Sequence, residues 1–290
     1  MIRNATQEDI NKIKLLWDEG FHDPLSYVDF IYDRVAQFSD TLVIEENGDL
    51  CSMLTIIPTG FRLRDKTIRT AYIYGAATQK SRRRHGYMVK LLEYAEHVCR
   101  EQGYALCVLV PGEKYLYDFY KNRGYSDDFS CRMVKLEAGM LERSARCEKP
   151  PVCNEPDYKK IYELREQALY DIPHITWDEK QLEFALADCM VYGETVAQYA
   201  GDGGESYAIF GTDKKHMFIR ECNGTSEKAE MMLLKSIVLE HNPSAVTVQL
   251  PVQKNLFRYE GEKQRYGMSK ALYARSTVSD MNPYMNLMLD

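Results

Sequence analysis

One stretch of the chain, residues 68–110, constrains the fold more than any other. It opens with a strand pattern that ends in the small residues 76–78. A run of basic residues and Gly86 follow, and apolar residues then recur at helical spacing until Gly103. The continuous apolar run 105–110 fits a strand that is buried on both faces of a sheet. A strand, a basic turn, an amphipathic helix and a buried strand in this order indicate an α/β fold.

Charge and composition exclude several classes of partner. The 290 residues include 43 acidic and 37 basic side chains, a formal charge of −6, whereas nucleic-acid-binding domains are usually basic. The eight cysteines form no C-x-x-C pair and the six histidines no i, i+4 pair, so we expect no metal. Acids stand where a signal peptide needs apolar residues, and no apolar segment approaches the roughly 20 residues that cross a bilayer. We therefore expect a cytoplasmic protein without nucleic-acid or membrane partners.

The order of elements in the first half of the chain recurs in the second half. Helical stretches, three short strands and a helix lead to the apolar strand 245–251, which echoes 106–111 and its final proline. Between the halves, residues 143–156 are polar and rich in proline, as linkers are. We predict two tandem domains, 1–142 and 157–290, each a mixed central sheet flanked by helices.

The basic turn before the helix has the properties of an anion site. A helix N-terminus presents backbone N–H groups without partners and a partial positive charge, which suits a phosphate. Gly86 lets the backbone approach a ligand, and Arg82, Arg83, Arg84 and His85 add charge and hydrogen-bond donors. The turn lacks the Gly-Lys-Ser/Thr of a Walker loop and the pattern G-x-G-x-x-G. We predict a pyrophosphate site; the alternative is a solvated basic surface.

Residues 75–88 read GAATQKSRRRHGYM. This segment resembles the acyl-CoA-binding signature of the GNAT acetyltransferases. In that signature, a strand ending in small residues and Thr leads through a short loop to Gln/Arg-x-x-Gly-x-Gly/Ala at a helix start. Arg83 and Gly86 take the first two motif positions, and Met88 stands where the family has Gly or Ala.

The resemblance extends over about residues 1–130, in the family's order and spacing. Residues 2–9 resemble the first strand and helix start, and residues 119–125, FYKNRGY, resemble the Phe-Tyr-x-x-x-Gly-Phe near the end of the domain. The resemblance implies acetyl-CoA as cosubstrate, with its pantetheine arm paired to the backbone of the strand end and its pyrophosphate held by the loop. The cofactor-binding residues so implied are Ala76, Ala77, Thr78, Arg83, Arg84, His85, Gly86, Tyr87 and Met88.

The resemblance also implies a catalytic acid, Tyr120. Acyl transfer to an amine expels the CoA thiolate, and a phenol with a pKa near 10 can protonate that leaving group. In family members with this motif, the tyrosine of Phe-Tyr-x-x-x-Gly-Phe often has that role. The alternative is that Tyr120 is one aromatic of a packed stripe with Tyr117 and Phe119.

The remaining roles have several candidates. A backbone N–H near Ala76, at the end of the third strand, could stabilise the oxyanion. Because an ammonium has no lone pair, the amine must lose a proton before it attacks, and a carboxylate could take that proton. Glu113 is the nearest candidate in sequence, and Asp23 and Glu46 are others.

The second half lacks the basic loop. At the corresponding place, residues 221–226 read ECNGTS, without an arginine and starting with an acid that would repel phosphate. We therefore predict a degenerate GNAT-like domain. An active first domain paired with a degenerate second one resembles the Eis-type branch, whose members carry a further sterol-carrier-like domain and can use the C-terminal carboxylate as base, here Asp290. The tail 284–290 is apolar enough to dock.

Together these observations predict an N-acetyltransferase that moves an acetyl group directly from acetyl-CoA to a primary amine, with no covalent enzyme intermediate. The alternative is a non-catalytic acyl-CoA-binding or regulatory protein. The acceptor is a small molecule or a peptide; aminoglycosides, polyamines, amino acids and protein N-termini all stay open, because variable loops build acceptor pockets in this fold. No oligomeric state is predicted.

Overall fold

The chain folds around one mixed β-sheet that runs through both halves. The computed structural model describes residues 1–137, 139, 153–201, 203–254, 259–273 and 278–289. The strands of the described residues are β1 (Ile2–Asn4), β2 (Thr41–Glu46), β3 (Asp49–Leu63), β4 (Lys66–Thr78), β5 (Leu106–Leu109), β6 (Ser126–Glu137), β7 (His174–Thr176), β8 (Thr195–Gly201), β9 (Gly204–Asp213), β10 (His216–Gly224), β11 (Ala245–Pro251) and β12 (Glu262–Ala271). The helices are α1 (Ile10–Phe21), α2 (Leu25–Arg34), α3 (Tyr87–Glu101), α4 (Lys114–Lys121), α5 (Tyr158–Ala168), α6 (Glu179–Val191) and α7 (Glu227–His241).

Local sequence signals set most of these boundaries. Asn47 and Gly48 both have positive φ, 53° and 86°, as the two-residue turn between β2 and β3 requires. Gly86 begins α3 with a φ of 80°, and Gly103 follows its end with a φ of 78°. The helix α2 ends at Arg34, and a short 3-10 turn, Phe38–Asp40, precedes β2.

The strands β6 and β12, which the sequence did not predict, join the two halves. The sheet order is β1-β2-β3-β4-β5-β12-β6-β11-β10-β9-β8, and β7 pairs with β3. β12 from the second half therefore lies antiparallel beside β5, and β6 from the first half lies antiparallel beside β11. Each half thus completes its sheet with the last strand of the other half. The division into residues 1–142, 143–156 and 157–290 stays a prediction.

Helices cover the sheet on both faces. Helices α1, α2, α5 and α6 lie on one face and share a single hydrophobic core that crosses from one half to the other. On the other face, α3 and α4 cover β2–β5, while α7 covers β8–β11 around a core of its own. Among the described residues, no helix is both long and apolar enough to span a bilayer.

The C-terminal tail is buried between the halves, as its apolar sequence predicts. Tyr284, Met285, Leu287, Met288 and Leu289 are each at most 3% exposed. The Trp177 indole donates to the Leu287 carbonyl at 3.1 Å, and the backbone of residue 284 bonds to that of residues 173 and 175. The tail therefore belongs to the shared core.

Candidate active site

The strands β4 and β5 diverge and open a cavity between them. They pair in parallel only from Thr70–Leu106 to Tyr72–Val108, yet β4 continues to Thr78 while β5 ends at Leu109. Beyond Tyr72, the described pairing of β4 is with β3 alone. The cavity has a volume of about 1140 Å³ and is lined on one side by residues 72–78 and on the other by residues 109–113. One edge of β4 is therefore available to an extended ligand.

A β-bulge lies in the middle of this open edge. Between the pairs Met53–Ala77 and Thr55–Tyr74, β3 advances by two residues and β4 by three. A bulge leaves its extra residue out of the ladder, so backbone groups near Gly75 and Ala76 are not committed to β3. Gly75 has a φ of 58°. Gly75 is not among the predicted site residues, although an isolated glycine inside a strand pattern is a signal for a bulge.

The indole of Trp17 explains why position 75 must be glycine. A Cβ added at Gly75 would lie 2.7 Å from the Trp17 ring, and one added at Gly20 would lie 3.2 Å from the Cβ of Ala77. The C-terminal end of α1 is therefore packed directly on the bulge. Trp17 is 2% exposed and lines the cavity, so its indole forms part of the cavity wall beside β4.

The basic loop and the start of α3 lie at the end of β4. Arg82, Arg83 and Arg84 line the cavity, and the Arg83 Nε donates to the Thr78 carbonyl at 3.1 Å. Lys90 is the first residue of α3 whose N–H bonds within the helix, to the Gly86 carbonyl at 3.1 Å. The N–H groups of residues 87–89, which also line the cavity, thus have no intrahelical partner. A Cβ at Gly86 would meet no atom within 4 Å, which leaves space above the helix start.

Most of the predicted cofactor-binding residues share this cavity, and His85 does not. Ala76, Ala77, Thr78, Arg83, Arg84, Gly86, Tyr87 and Met88 line it. The His85 Nδ1 instead lies 2.9 Å from the Arg83 carbonyl and 3.1 Å from the Arg82 carbonyl, so it stabilises the loop. Glu46 also lies outside the cavity lining and accepts a hydrogen bond from the Tyr87 hydroxyl at 2.6 Å.

Tyr120 lies on α4 and lines the same cavity. It is 7% exposed, and its ring packs edge-on against Phe119 and Tyr125, with centroids 5.1 and 5.6 Å away. Burial raises the pKa of Tyr120 to about 12, and the nearby charge of Arg123 opposes the shift in part. The phenol therefore keeps its proton at neutral pH. Among the described residues, its hydroxyl has no hydrogen-bond partner.

Two carboxylates named as base candidates, Glu113 and Asp23, line the cavity. Glu113 lies just before α4, and Asp23 lies in the link between α1 and α2. Leu289 of the tail also lines the cavity, and the Tyr72 hydroxyl donates to its carbonyl at 2.8 Å. Asp290 lies outside the described residues.

At the place in the second half that corresponds to the basic loop, the described chain has only a short link. β10 ends at Gly224 and α7 begins at Glu227, so only two residues separate them, and the Ser226 hydroxyl already caps the helix by accepting from the Ala229 N–H at 3.1 Å. Glu221 does not face this turn, contrary to the interpretation drawn from sequence. Its side chain is buried and accepts from the Arg165 guanidinium at 3.0 Å.

Comparison with known proteins finds a matching family model for the first part of the chain. Residues 1–127 match the family model described as an acetyltransferase (GNAT) domain. This part of the chain is therefore similar to the acetyltransferase domains of the GNAT family. No curated protein matches the sequence. In the described part of the chain, no group of three or more His, Cys, Asp or Glu side chains could hold a metal ion.

Solved structures share the fold over nearly the whole chain. A probable N-acyltransferase from Enterococcus faecalis is 16% identical, with a TM-score of 0.79 over 94% of this chain and 72% of its own. A GCN5-related N-acetyltransferase from Kribbella flavida is 14% identical, with a TM-score of 0.74 over 93% and 70%. Eis1 from Mycobacterium abscessus is 9% identical, with a TM-score of 0.72 over 94% and 74%. The mixed sheet flanked by helices is thus the GNAT-like arrangement.

Proposed function

We propose that this chain transfers an acetyl group from acetyl-CoA to a primary amine by direct attack. The proposal assigns the reaction to residues 1–142 and regards 157–290 as a degenerate GNAT-like domain without a cofactor site. The observation that supports it most is one cavity that joins the open, bulged edge of β4 to a basic helix start.

This cavity suits both parts of a CoA molecule. Amides of the pantetheine arm would pair with backbone groups of residues 73–78, as an added strand does. The pyrophosphate would accept hydrogen bonds from the N–H groups of residues 87–89 and charge-assisted bonds from Arg83 and Arg84. Met88, where the family has a smaller residue, packs its side chain against the core under α3 and leaves the space above Gly86 free.

The chemistry follows from the groups that line the cavity. The neutral amine attacks the thioester carbonyl, a C–N bond forms, and the oxygen takes up negative charge that a backbone N–H at the bulge can stabilise. The C–S bond then breaks and Tyr120 gives its proton to the thiolate sulfur. The proton lost by the amine goes to a carboxylate, and Glu113, which lines the cavity, is the candidate for this role.

Isothermal titration with acetyl-CoA and with CoA tests the cosubstrate assignment. Each charge-assisted contact contributes about 1.5–3 kcal/mol, so Arg83→Ala with Arg84→Ala should weaken binding about 100-fold or more. Arg64→Ala with Lys66→Ala is the matched control, since it removes the same charge at the opposite, exposed end of β4. Equal affinity of the two double variants, or no binding by the wild type, would refute the assignment.

Release of CoA thiol in the presence of a panel of primary amines tests the reaction itself. Turnover with any amine supports the transferase. Tight binding of acetyl-CoA without turnover on every amine would favour the alternative, a non-catalytic acyl-CoA-binding or regulatory protein.

A further inference from the structure

The wall of the cavity formed by α1 and the α1–α2 link carries one carboxylate among aromatic rings. Trp17, Phe21 and Tyr74 line this wall, with the Trp17 centroid 4.8 Å from Phe21 and 5.5 Å from Tyr74. Asp23 is the acid on the same wall. Because α1 packs on the bulge through Gly20, this wall adjoins the part of β4 where the acetyl group would react.

Two neutral donors hold the Asp23 carboxylate in place. The Trp17 Nε1 donates to one oxygen at 2.9 Å, and the Tyr192 hydroxyl donates to the other at 3.0 Å. Tyr192 follows α6 of the second half, and its ring packs edge-on against Tyr27, with centroids 5.4 Å apart. The second half therefore contributes a positioning residue to a cavity of the first half.

Within the described part of the chain, the Asp23 carboxylate has neutral partners only. No Lys, Arg or His among the described residues forms an ion pair with this carboxylate, and its two hydrogen-bond donors are uncharged. Aromatic faces around a carboxylate attract a cation through their ring quadrupoles as well. This wall is thus built to receive positive charge from a ligand.

The nitrogen that attacks the acetyl group is not the group that should bind the negative charge of Asp23. It must be neutral to attack, whereas a nearby carboxylate stabilises the ammonium form and raises the pKa of the amine. A second nitrogen that stays protonated throughout the reaction gains from Asp23 without that cost. We propose that the acceptor is a diamine or polyamine, whose distal ammonium binds Asp23 among Trp17, Phe21 and Tyr74. This inference rests on the proposed acetyltransferase function.

Steady-state kinetics with two amines of equal length test the inference. Diaminobutane carries an amine at each end, whereas butylamine carries one. Wild-type protein should show a KM at least about tenfold lower for diaminobutane than for butylamine, since one charge-assisted contact changes affinity by about tenfold or more. Asp23→Asn should raise the KM for diaminobutane about tenfold and so remove the difference. Tyr192→Phe, which keeps the ring and loses one hydrogen bond, should raise it by a smaller factor.

Asp29→Asn is the matched control. It removes one negative charge from α2, at an exposed side chain that pairs with Lys14 and does not line the cavity, so the ratio of the two KM values should stay at its wild-type value. Equal KM values for the two amines in the wild type would overturn the inference, and this comparison needs no variant.

Three outcomes separate the inference from the function on which it rests. If Asp23→Asn lowers kcat equally for both amines and leaves their KM ratio intact, Asp23 removes the proton of the amine and the inference is wrong. If acetyl-CoA binds and butylamine is acetylated as efficiently as diaminobutane, the transferase function is supported and the diamine specificity is wrong. If no amine is acetylated, the proposed acetyltransferase function is wrong, and the inference that rests on it is wrong as well.

Discussion

Replacing Gly75 by alanine tests whether the bulge of β4 depends on the close approach of α1. Two costs add at this position. An L-residue in the left-handed region, at a φ of 58°, costs about 1–2 kcal/mol. The new Cβ would also lie 2.7 Å from the Trp17 ring, which is buried and cannot move freely, and such overpacking costs about 1–3 kcal/mol. We therefore expect Gly75→Ala to lower the free energy of unfolding by about 2–5 kcal/mol.

Urea denaturation followed by tryptophan fluorescence measures this effect. Gly103→Ala is the matched control, because Gly103 has a φ of 78° but its added Cβ would meet nothing within 4 Å. In the control, the free energy of unfolding should fall only by the cost of the left-handed backbone conformation, about 1–2 kcal/mol. A similar decrease in the free energy of unfolding in the two variants would refute the close contact between Trp17 and the bulge. Since Trp17 also holds Asp23, we expect the variant that folds to lose acceptor affinity as well.

Three further predictions concern the acid, the core and pH. Tyr120→Phe should lower kcat about 100-fold or more while leaving the Kd for acetyl-CoA within about twofold, because the phenol acts only on the leaving group; an unchanged kcat would remove the acid assignment. Arg165→Met should cost about 3–5 kcal/mol in urea unfolding by leaving the buried Glu221 without a counter-charge, and adding Glu221→Gln, which removes the charge but still accepts from the Tyr207 hydroxyl, should restore most of it; a double variant as unstable as the single one would contradict this reason. Hydrogen bonds from Arg3 and, to a smaller extent, Thr6 hold the pKa of Asp9 at about 2, below its ordinary value of 3.8, so these contacts stabilise the fold above pH 4 and the contribution is lost as the pH falls toward 2. Wild type should lose about 1–2 kcal/mol over that range through this group, and Asp9→Asn should lack that part of the acid sensitivity.

Elements with a strong local signal could be predicted from the sequence. The helix α7 and the strand β11 lie where their periodicity places them, and the Asn-Gly pair at 47–48 forms the tight turn between β2 and β3 that such a pair favours. The strands β6 and β12 could not be predicted. Their polar positions weaken the alternating pattern, and their place in the sheet depends on partners from the other half of the chain.

In the candidate site too, some features could be predicted from the sequence and others could not. The motif around Arg83 and Gly86 is local, because a helix start and its loop are neighbours in sequence, and the structure places both at one cavity. In the sequence, Asp23 was one of the candidates for the base after Glu113, which lies nearer to the strand end. Only the fold shows that Trp17 and Tyr192 orient it.

The sequence by itself determined the α/β class, the basic helix start and the candidate phenol, since each depends on residues within a turn or a helix of one another. The tertiary structure decided the divergence of β4 from β5, the exchange of β6 and β12, and the aromatic wall around Asp23. These features depend on contacts between residues far apart in the chain, as between Asp23 and Tyr192, and the pattern of one segment holds no information about which distant segment will pack against it.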